Sequence, residues 1–467
     1  MLLYKNNLSR FFMVSILFFA LISILGCSKK DSSDDINLSD TNSTIKNNET
    51  NTTLIKNPHP IFKDFNVGFG GSSSFGFVPD PQLWSSNELI WINATDLILD
   101  ETIANNTSYK KIKLFNPDAF IALQQKLQST RFLVYWFSKG WKENWYSKIK
   151  IQEAIDHGIV PVFVYWYFGD ELLTMMPTSQ EQTAYLQDAQ RLSNFLRDLN
   201  GTKLFIMEPE FNKDKVLESE TNQHAFATII KNAIDTIKTN TKDILFSLAM
   251  TDTGNRGFFD VLESCGYANC ALGDQKRWSE PNIIYQDLSQ SLDFISFQEM
   301  IGQFSRNPKN PGTLQSPIPI QYSDEQIGID YLAQRISNFT QFLYQKYNKP
   351  VFLPYITIAT ATWSDDNNNN VVENEEVNGS GWTIKAEQTY RQVNDLKSTL
   401  QRNGLFGFAL MALFDNPLHA KGEYQYFMQN EYHLGVITTS ADYRNDDKAP
   451  YGDLRFKGEI LDLVFEE

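Results

Sequence analysis

The chain has 467 residues, and its 41 Lys plus Arg face 56 Asp plus Glu, a formal net charge of −15. Such a balance argues against nucleic acid as a partner, because phosphate binding needs clustered cations. A hydrophobic share of 42% excludes disorder over most of the length, and three cysteines are too few for a disulfide scaffold or paired CxxC zinc sites.

The N-terminus carries Lys5 and Arg10, then an apolar run from Phe11 to Leu25, then Gly26 and Cys27. The run is shorter than the roughly 20 residues of a spanning helix. It resembles a bacterial lipoprotein signal peptide, with Ile24-Leu25-Gly26-Cys27 as the lipobox. The resemblance implies cleavage before Cys27, lipid on Cys27, and export of the remainder. Residues 1–26 would then be the signal and 27–59 a flexible tether. The only membrane contact would be the lipid. Ser28 is not an acidic retention signal, which points to the outer membrane or cell surface within the cell envelope. Residues 28–59 hold five aliphatic side chains, too few to offset the entropy of ordering them. As a coil they would span about 30 Å root-mean-square.

From residue 60 onward, eight apolar runs recur, most followed by a helical pattern. They are Asn66–Gly70, Phe132–Trp136, Val160–Tyr167, Lys203–Glu208, Ile244–Thr251, Leu292–Gln298, Val351–Thr357 and Leu405–Phe414. Runs without polar alternation suit strands buried on both faces. Helices are predicted over Pro117–Gln128, Ile149–Asp156, Glu181–Leu199, Thr221–Lys238, Asp324–Tyr347 and Lys385–Arg402. Asn200-Gly201 and Asn403-Gly404 act as stop signals. The alternation predicts an α/β chain: a (β/α)8 TIM-type barrel over residues 60–467 with loop insertions. An open doubly wound sheet is the alternative, weakened because no GxGxxG or GxxxxGK[ST] follows a strand. Residues 71–115 are too long for one βα loop, and Asn87–Asp100 reads as an inserted hairpin.

Barrel chemistry sits at the C-terminal ends of the strands. The fourth strand ends in Glu208-Pro209-Glu210. Two residues apart, both carboxylates would share the inward face of Leu204 and Ile206. Adjacent carboxylates cannot both ionise cheaply, so one would become a general acid. A salt-bridged structural pair is the alternative. After the sixth strand, alternation puts Gln298 inward, and Glu299 reaches the site only if the strand breaks there. Asp415 after the eighth strand is either catalytic or the start of a turn before Pro417. Aromatic side chains gather at the same ends: Trp136, Tyr165, Trp166, Tyr167, Trp363 and Phe414. Tyrosine and tryptophan offer flat faces on which sugar rings stack, although some of these rings could equally pack beneath helices.

The segments FVYWYFGDE (Phe163–Glu171), FIMEPEFN (Phe205–Asn212) and FALMALFDNP (Phe408–Pro417), with the closing HLGVI and KAPYGDLRF, resemble barrel-type glycoside hydrolases. By that resemblance a Glu ending the fourth strand is the acid/base. The cellulase and mannanase clan also places a nucleophilic Glu at the end of the seventh strand. Here that strand reads Pro354-Tyr355-Ile356-Thr357-Ile358, with no carboxylate. Glu208 or Glu210 would therefore pair with Glu299 or Asp415, or the barrel has lost catalysis.

Further along, residues 365–376 match an EF-hand spacing: Asp365, Asn367 and Asn369, the Val371 carbonyl, and Glu376 at the twelfth position. They would hold Ca2+; an Asn-rich loop without metal is the alternative. An oxidising compartment would pair Cys265 with Cys270, or both stay free thiols. No HExxH or GxSxG motif is present, and no organic cofactor is expected. The reading is an envelope-anchored, monomeric glycoside hydrolase acting on a polysaccharide or oligosaccharide. The alternative is a non-catalytic glycan-binding lipoprotein on a degenerate barrel.

Overall fold

A computed structural model gives the three-dimensional structure. It describes residues 59–72, 123, 125–143, 146, 148–251, 271–301, 325–358, 360, 362–363, 377–378, 382–414, 434–439 and 454–466, together with the short strands 77–79, 88–93 and 111–113.

Eight parallel strands close into a barrel. They are β1 (Asn66–Ser72), β2 (Thr130–Ser138), β3 (Val160–Trp166), β4 (Lys203–Met207), β5 (Ile244–Thr251), β6 (Ile295–Ile301), β7 (Val351–Ile358) and β8 (Leu405–Leu410). Each pairs with its neighbours in chain order, and β1 pairs with both β2 and β8. That closure removes the open-sheet alternative. The eight apolar runs are thus the eight barrel strands, apolar on both faces because one face meets the barrel interior and the other meets helices.

The helices surround the barrel: α1 (Lys148–Asp156), α2 (Ser179–Leu196), α3 (Glu220–Lys238), α4 (Ala271–Trp278), α5 (Asn282–Asp287), α6 (Glu325–Tyr347), α7 (Trp382–Asp395), α8 (Lys397–Arg402) and α9 (Ile460–Phe465). Their inward stripes follow helical spacing, as Tyr185, Asp188, Leu192 and Phe195 do in α2. A reciprocal capping box between Thr178 and Glu181 starts α2. Gly404, with φ of 103°, follows α8 in the left-handed geometry that glycine favours.

Three elements differ from the sequence expectation. The strand Glu88–Asn93 pairs antiparallel with Phe77–Pro79 and with Lys111–Lys113, so the insertion is a three-stranded sheet rather than a hairpin folded within 87–100. The long eighth run is two strands. Ala412–Phe414 leaves the barrel to pair with Gly435–Thr439, which pairs in turn with Leu454–Phe456. The Lys385–Arg402 helix is interrupted at Leu396, giving α7 and α8.

The interior begins with a layer of rings. Phe132 packs on Phe352 at 4.8 Å, Phe352 stacks on Phe406 at 5.0 Å, and Phe294 meets Phe406 at 5.6 Å. Beneath this layer the turn Pro60–Phe62 plugs the N-terminal end of the barrel, with Phe62 against Phe406 at 4.8 Å. Gly68 makes room for the layer, since a β-carbon there would collide with the Phe132 backbone and side chain. Because Phe352 is fully buried in this layer, Phe352→Ala is expected to lower the unfolding free energy by about 3–5 kcal/mol. Exposed Ile384→Ala should stay within about 0.5 kcal/mol. Urea midpoints of the two variants check this, and equal midpoints would contradict it.

Candidate active site

The end of β4 sets the site. Met207 is its last strand residue, and both glutamates that follow are left-handed, Glu208 at φ 36° and Glu210 at φ 64°. Such a backbone costs a non-glycine residue on the order of 1–3 kcal/mol and persists only where its surroundings hold it. Here the holding groups are neighbouring strands. The Glu208 N–H donates to the Tyr165 carbonyl at 2.8 Å, and the Glu210 N–H donates to the Ala249 carbonyl at 2.9 Å. The strand alternation therefore ends at Met207, and the two carboxylates part instead of lying side by side.

Glu208 turns toward β3 and α2. Its carboxylate accepts from the Tyr167 N–H at 3.2 Å and the Phe168 N–H at 3.1 Å, and it is 0% exposed. Burial pushes its carboxyl up to about 8, against the opposing pull of those N–H donors. The Tyr185 phenol is raised by its own burial and by the nearby Glu208 charge. The expectation that Glu208 opens into the barrel mouth is thus corrected: it is sealed beneath α2.

Glu210 does reach the mouth, and its side chain is 22% exposed. Gln298 donates its amide to one oxygen of Glu210. The Lys213 ammonium stands 3.4 Å from the other oxygen. Lys213 also pairs with Asp170 and lies 5.8 Å from the centre of the Trp166 ring. Tyr355 faces Glu210 from β7, and its phenol is raised by burial and then by the Glu210 charge. Tyr355 points inward because the ladder is irregular around Pro354, between Leu353 and Ile356. Its ring lies 5.1 Å from Trp136, and together they floor the mouth. Desolvation raises the Glu210 carboxyl, while Lys213 and Gln298 draw it down. Gln298 is 4% exposed, and its own carbonyl oxygen has no hydrogen-bond partner among the described residues.

Other expected residues lie elsewhere. Strand β6 runs unbroken to Ile301, so Glu299 shares the face of Ile295 and Phe297 that packs toward the helices. Glu299 is therefore corrected to the side opposite Gln298. Tyr165 packs beneath α2, stacked on Tyr185 at 5.4 Å and donating to Asp188 at 2.7 Å. Tyr167 joins the same outer cluster, 5.1 Å from Tyr185, with Lys139 over its ring. Neither ring is a platform at the mouth, because helix packing claims their faces. Trp166 and Trp136 remain on the interior side. Trp363 lies in a two-residue strand paired with Val377–Asn378, and Phe414 lies in Ala412–Phe414. Asp415, the loop residues Asp365, Asn367, Asn369, Val371 and Glu376, and Cys27, Cys265 and Cys270 lie outside the described residues.

Sequence reasoning missed Lys213, Asp170 and Tyr355. The spacing Glu210-x-x-Lys213 was an available signal, since the two residues meet across a single turn. Tyr355 was legible only as an absent carboxylate.

No family model matches the chain, and no curated protein matches it in sequence. Similar solved structures include a β-glucosidase of Thermotoga maritima in complex with deoxynojirimycin, at 11% identity, 82% of this chain, 95% of that chain and TM-score 0.43. A family 1 β-glucosidase of the same organism gives 13% identity, 81% and 93% coverage and TM-score 0.43. Its cyclophellitol complex gives 12%, 81%, 93% and 0.44. At these values no residue role is transferred.

Two outcomes follow from the charges. Lys213→Met removes the cation that draws Glu210 down, so the Glu210 titration midpoint should rise, as read by carbon-13 carboxyl NMR. An unchanged midpoint would contradict the pairing. Glu208 has a folded value above its ordinary 4.5, so the folded state favours its protonated form. Its contribution to stability is whole below 4.5 and is lost as pH rises through about 8. Glu208→Gln should flatten that part of the stability–pH curve, measured by urea unfolding at a series of pH values.

Proposed function

We propose that the mouth of this barrel binds a saccharide and hydrolyses a glycosidic bond, with Glu210 as general acid. The observation that carries the reading is Glu210 itself: a carboxyl raised by burial, held by a strained backbone at a strand end, and still open to the mouth. A carboxyl raised by burial holds its proton more readily and can deliver it to a departing sugar oxygen. The second carboxylate in this reading is Asp170, whose side chain is 55% exposed and which touches the same Lys213 ammonium. It would serve as base for water or as nucleophile. Trp166, half-buried beside Lys213, offers a ring for stacking. The unpartnered Gln298 carbonyl would accept from a sugar hydroxyl. Polysaccharide as the substrate, and lipid anchoring through Cys27 in the cell envelope, are supported by the sequence segments that resemble such proteins.

A second reading is a non-catalytic glycan-binding barrel. It is favoured by the seventh strand, Val351–Ile358, which holds no carboxylate to complete the pair that the resemblance implies. Turnover separates the two. The purified protein is assayed on a panel of soluble polysaccharides, and Glu210→Gln should lower kcat by about 10²–10⁴-fold while glycan binding by calorimetry persists. Undiminished turnover in Glu210→Gln contradicts the assignment. Binding without turnover in the unmodified protein decides for the second reading.

A further inference from the structure

The geometry points to Glu208 as a positioning residue of the mouth, one whose buried carboxyl fixes the segment that links Trp166 to Asp170 and so holds both beside Lys213. This inference rests on the mouth being the functional site, but its test needs no substrate.

Glu208 accepts from two successive backbone N–H groups, those of Tyr167 and Phe168. These follow the last residue of β3 and precede the short 3₁₀ helix Gly169–Leu173. Gly169 is left-handed, with φ of 55°, and a β-carbon there would press on the Trp166 ring at 3.1 Å. The Trp166 ring is therefore folded over the turn itself. The next residue, Asp170, pairs with Lys213, and Lys213 reaches Glu210. Contacts thus run from Glu208 through the turn and back to Glu210, a second route beside the two peptide bonds that join the glutamates. A carboxylate accepting from adjacent N–H groups locks such a turn more firmly than a neutral side chain can.

The clamp also changes with the proton. When one oxygen of Glu208 takes a proton, an acceptor facing an N–H group becomes a donor, and that hydrogen bond weakens. The groups facing Glu208 are Tyr185 from α2, Tyr165 and Tyr167 from the β3 side, and Lys213 from the segment after β4. Burial places the three phenols above their ordinary range, so they stay neutral while Glu208 titrates.

The test uses the full chain labelled with 5-fluorotryptophan. The Trp166 fluorine resonance is assigned as the signal missing in Trp166→Phe, and that of Trp141, held by Asp188 of α2 at 3.0 Å, serves as a fold control. In the unmodified protein the Trp166 signal should move with pH, with a midpoint near 8. In Glu208→Gln the movement should vanish while the Trp141 signal stays in place. Lys213→Met keeps Glu208 and removes a cation that draws it down, so the midpoint should move upward. In Glu210→Gln the movement should persist, which separates failure of this inference from failure of the catalytic reading. A Trp166 signal that does not titrate in the unmodified protein overturns the assignment. So does one that titrates with the same midpoint in Glu208→Gln.

Discussion

One ammonium group organises the mouth. Lys213 is nearly buried, and its charge lies between Glu210, Asp170 and the Trp166 ring. Placing a carboxyl over an aromatic floor makes its ionised form costly, and an adjacent cation offsets part of that cost. The outcome is a balance: desolvation raises Glu210, and Lys213 and Gln298 limit the rise. Without the lysine, Glu210 would be a simple buried acid and Asp170 a surface carboxylate. With it, two acids from different strand ends form one unit.

The balance is possible because of how β4 stops. Two left-handed glutamates, one on each side of Pro209, turn the chain so that one carboxyl goes under α2 and the other into the mouth. Strand geometry alone would have sent both the same way. Each is held by a backbone bond to a different neighbour, Tyr165 of β3 and Ala249 of β5. The barrel thereby separates a carboxyl suited to holding structure from one suited to meeting a ligand. The layers below supply rigidity: the phenylalanine layer and its Phe62 plug fill the lower barrel, and Trp136 and Tyr355 close the upper part.

The barrel itself was legible in the sequence because most of its strands are short continuous apolar runs that alternate with helical patterns. Helix ends at Gly201 and Gly404 were equally plain, and both glycines adopt the left-handed geometry that stops a helix. What did not show was any departure from strict alternation. Glu208 and Tyr355 both face the way they do because the chain leaves regular strand geometry, at Glu208 just before Pro209 in one case and around Pro354 in the other. Proline marks where a ladder bond is lost but does not say which way the next side chain turns. Tyr165 and Tyr167 were ambiguous for another reason: the composition of a sugar platform and of a ring cluster under a helix is the same. Two residues of α2 decide between them: Tyr185, against which both rings pack, and buried Asp188, which accepts from Tyr165 and Trp141.

Glu210, and not Glu208, is the carboxyl we propose to meet a substrate. A crystal structure of Glu210→Gln with a bound oligosaccharide tests it most directly. A glycosidic oxygen is expected about 3 Å from the side chain at position 210, with the sugar ring against Trp166 and a hydroxyl on the Gln298 carbonyl. An oligosaccharide bound away from the mouth, or one reaching Glu208 through an opened α2, would contradict it.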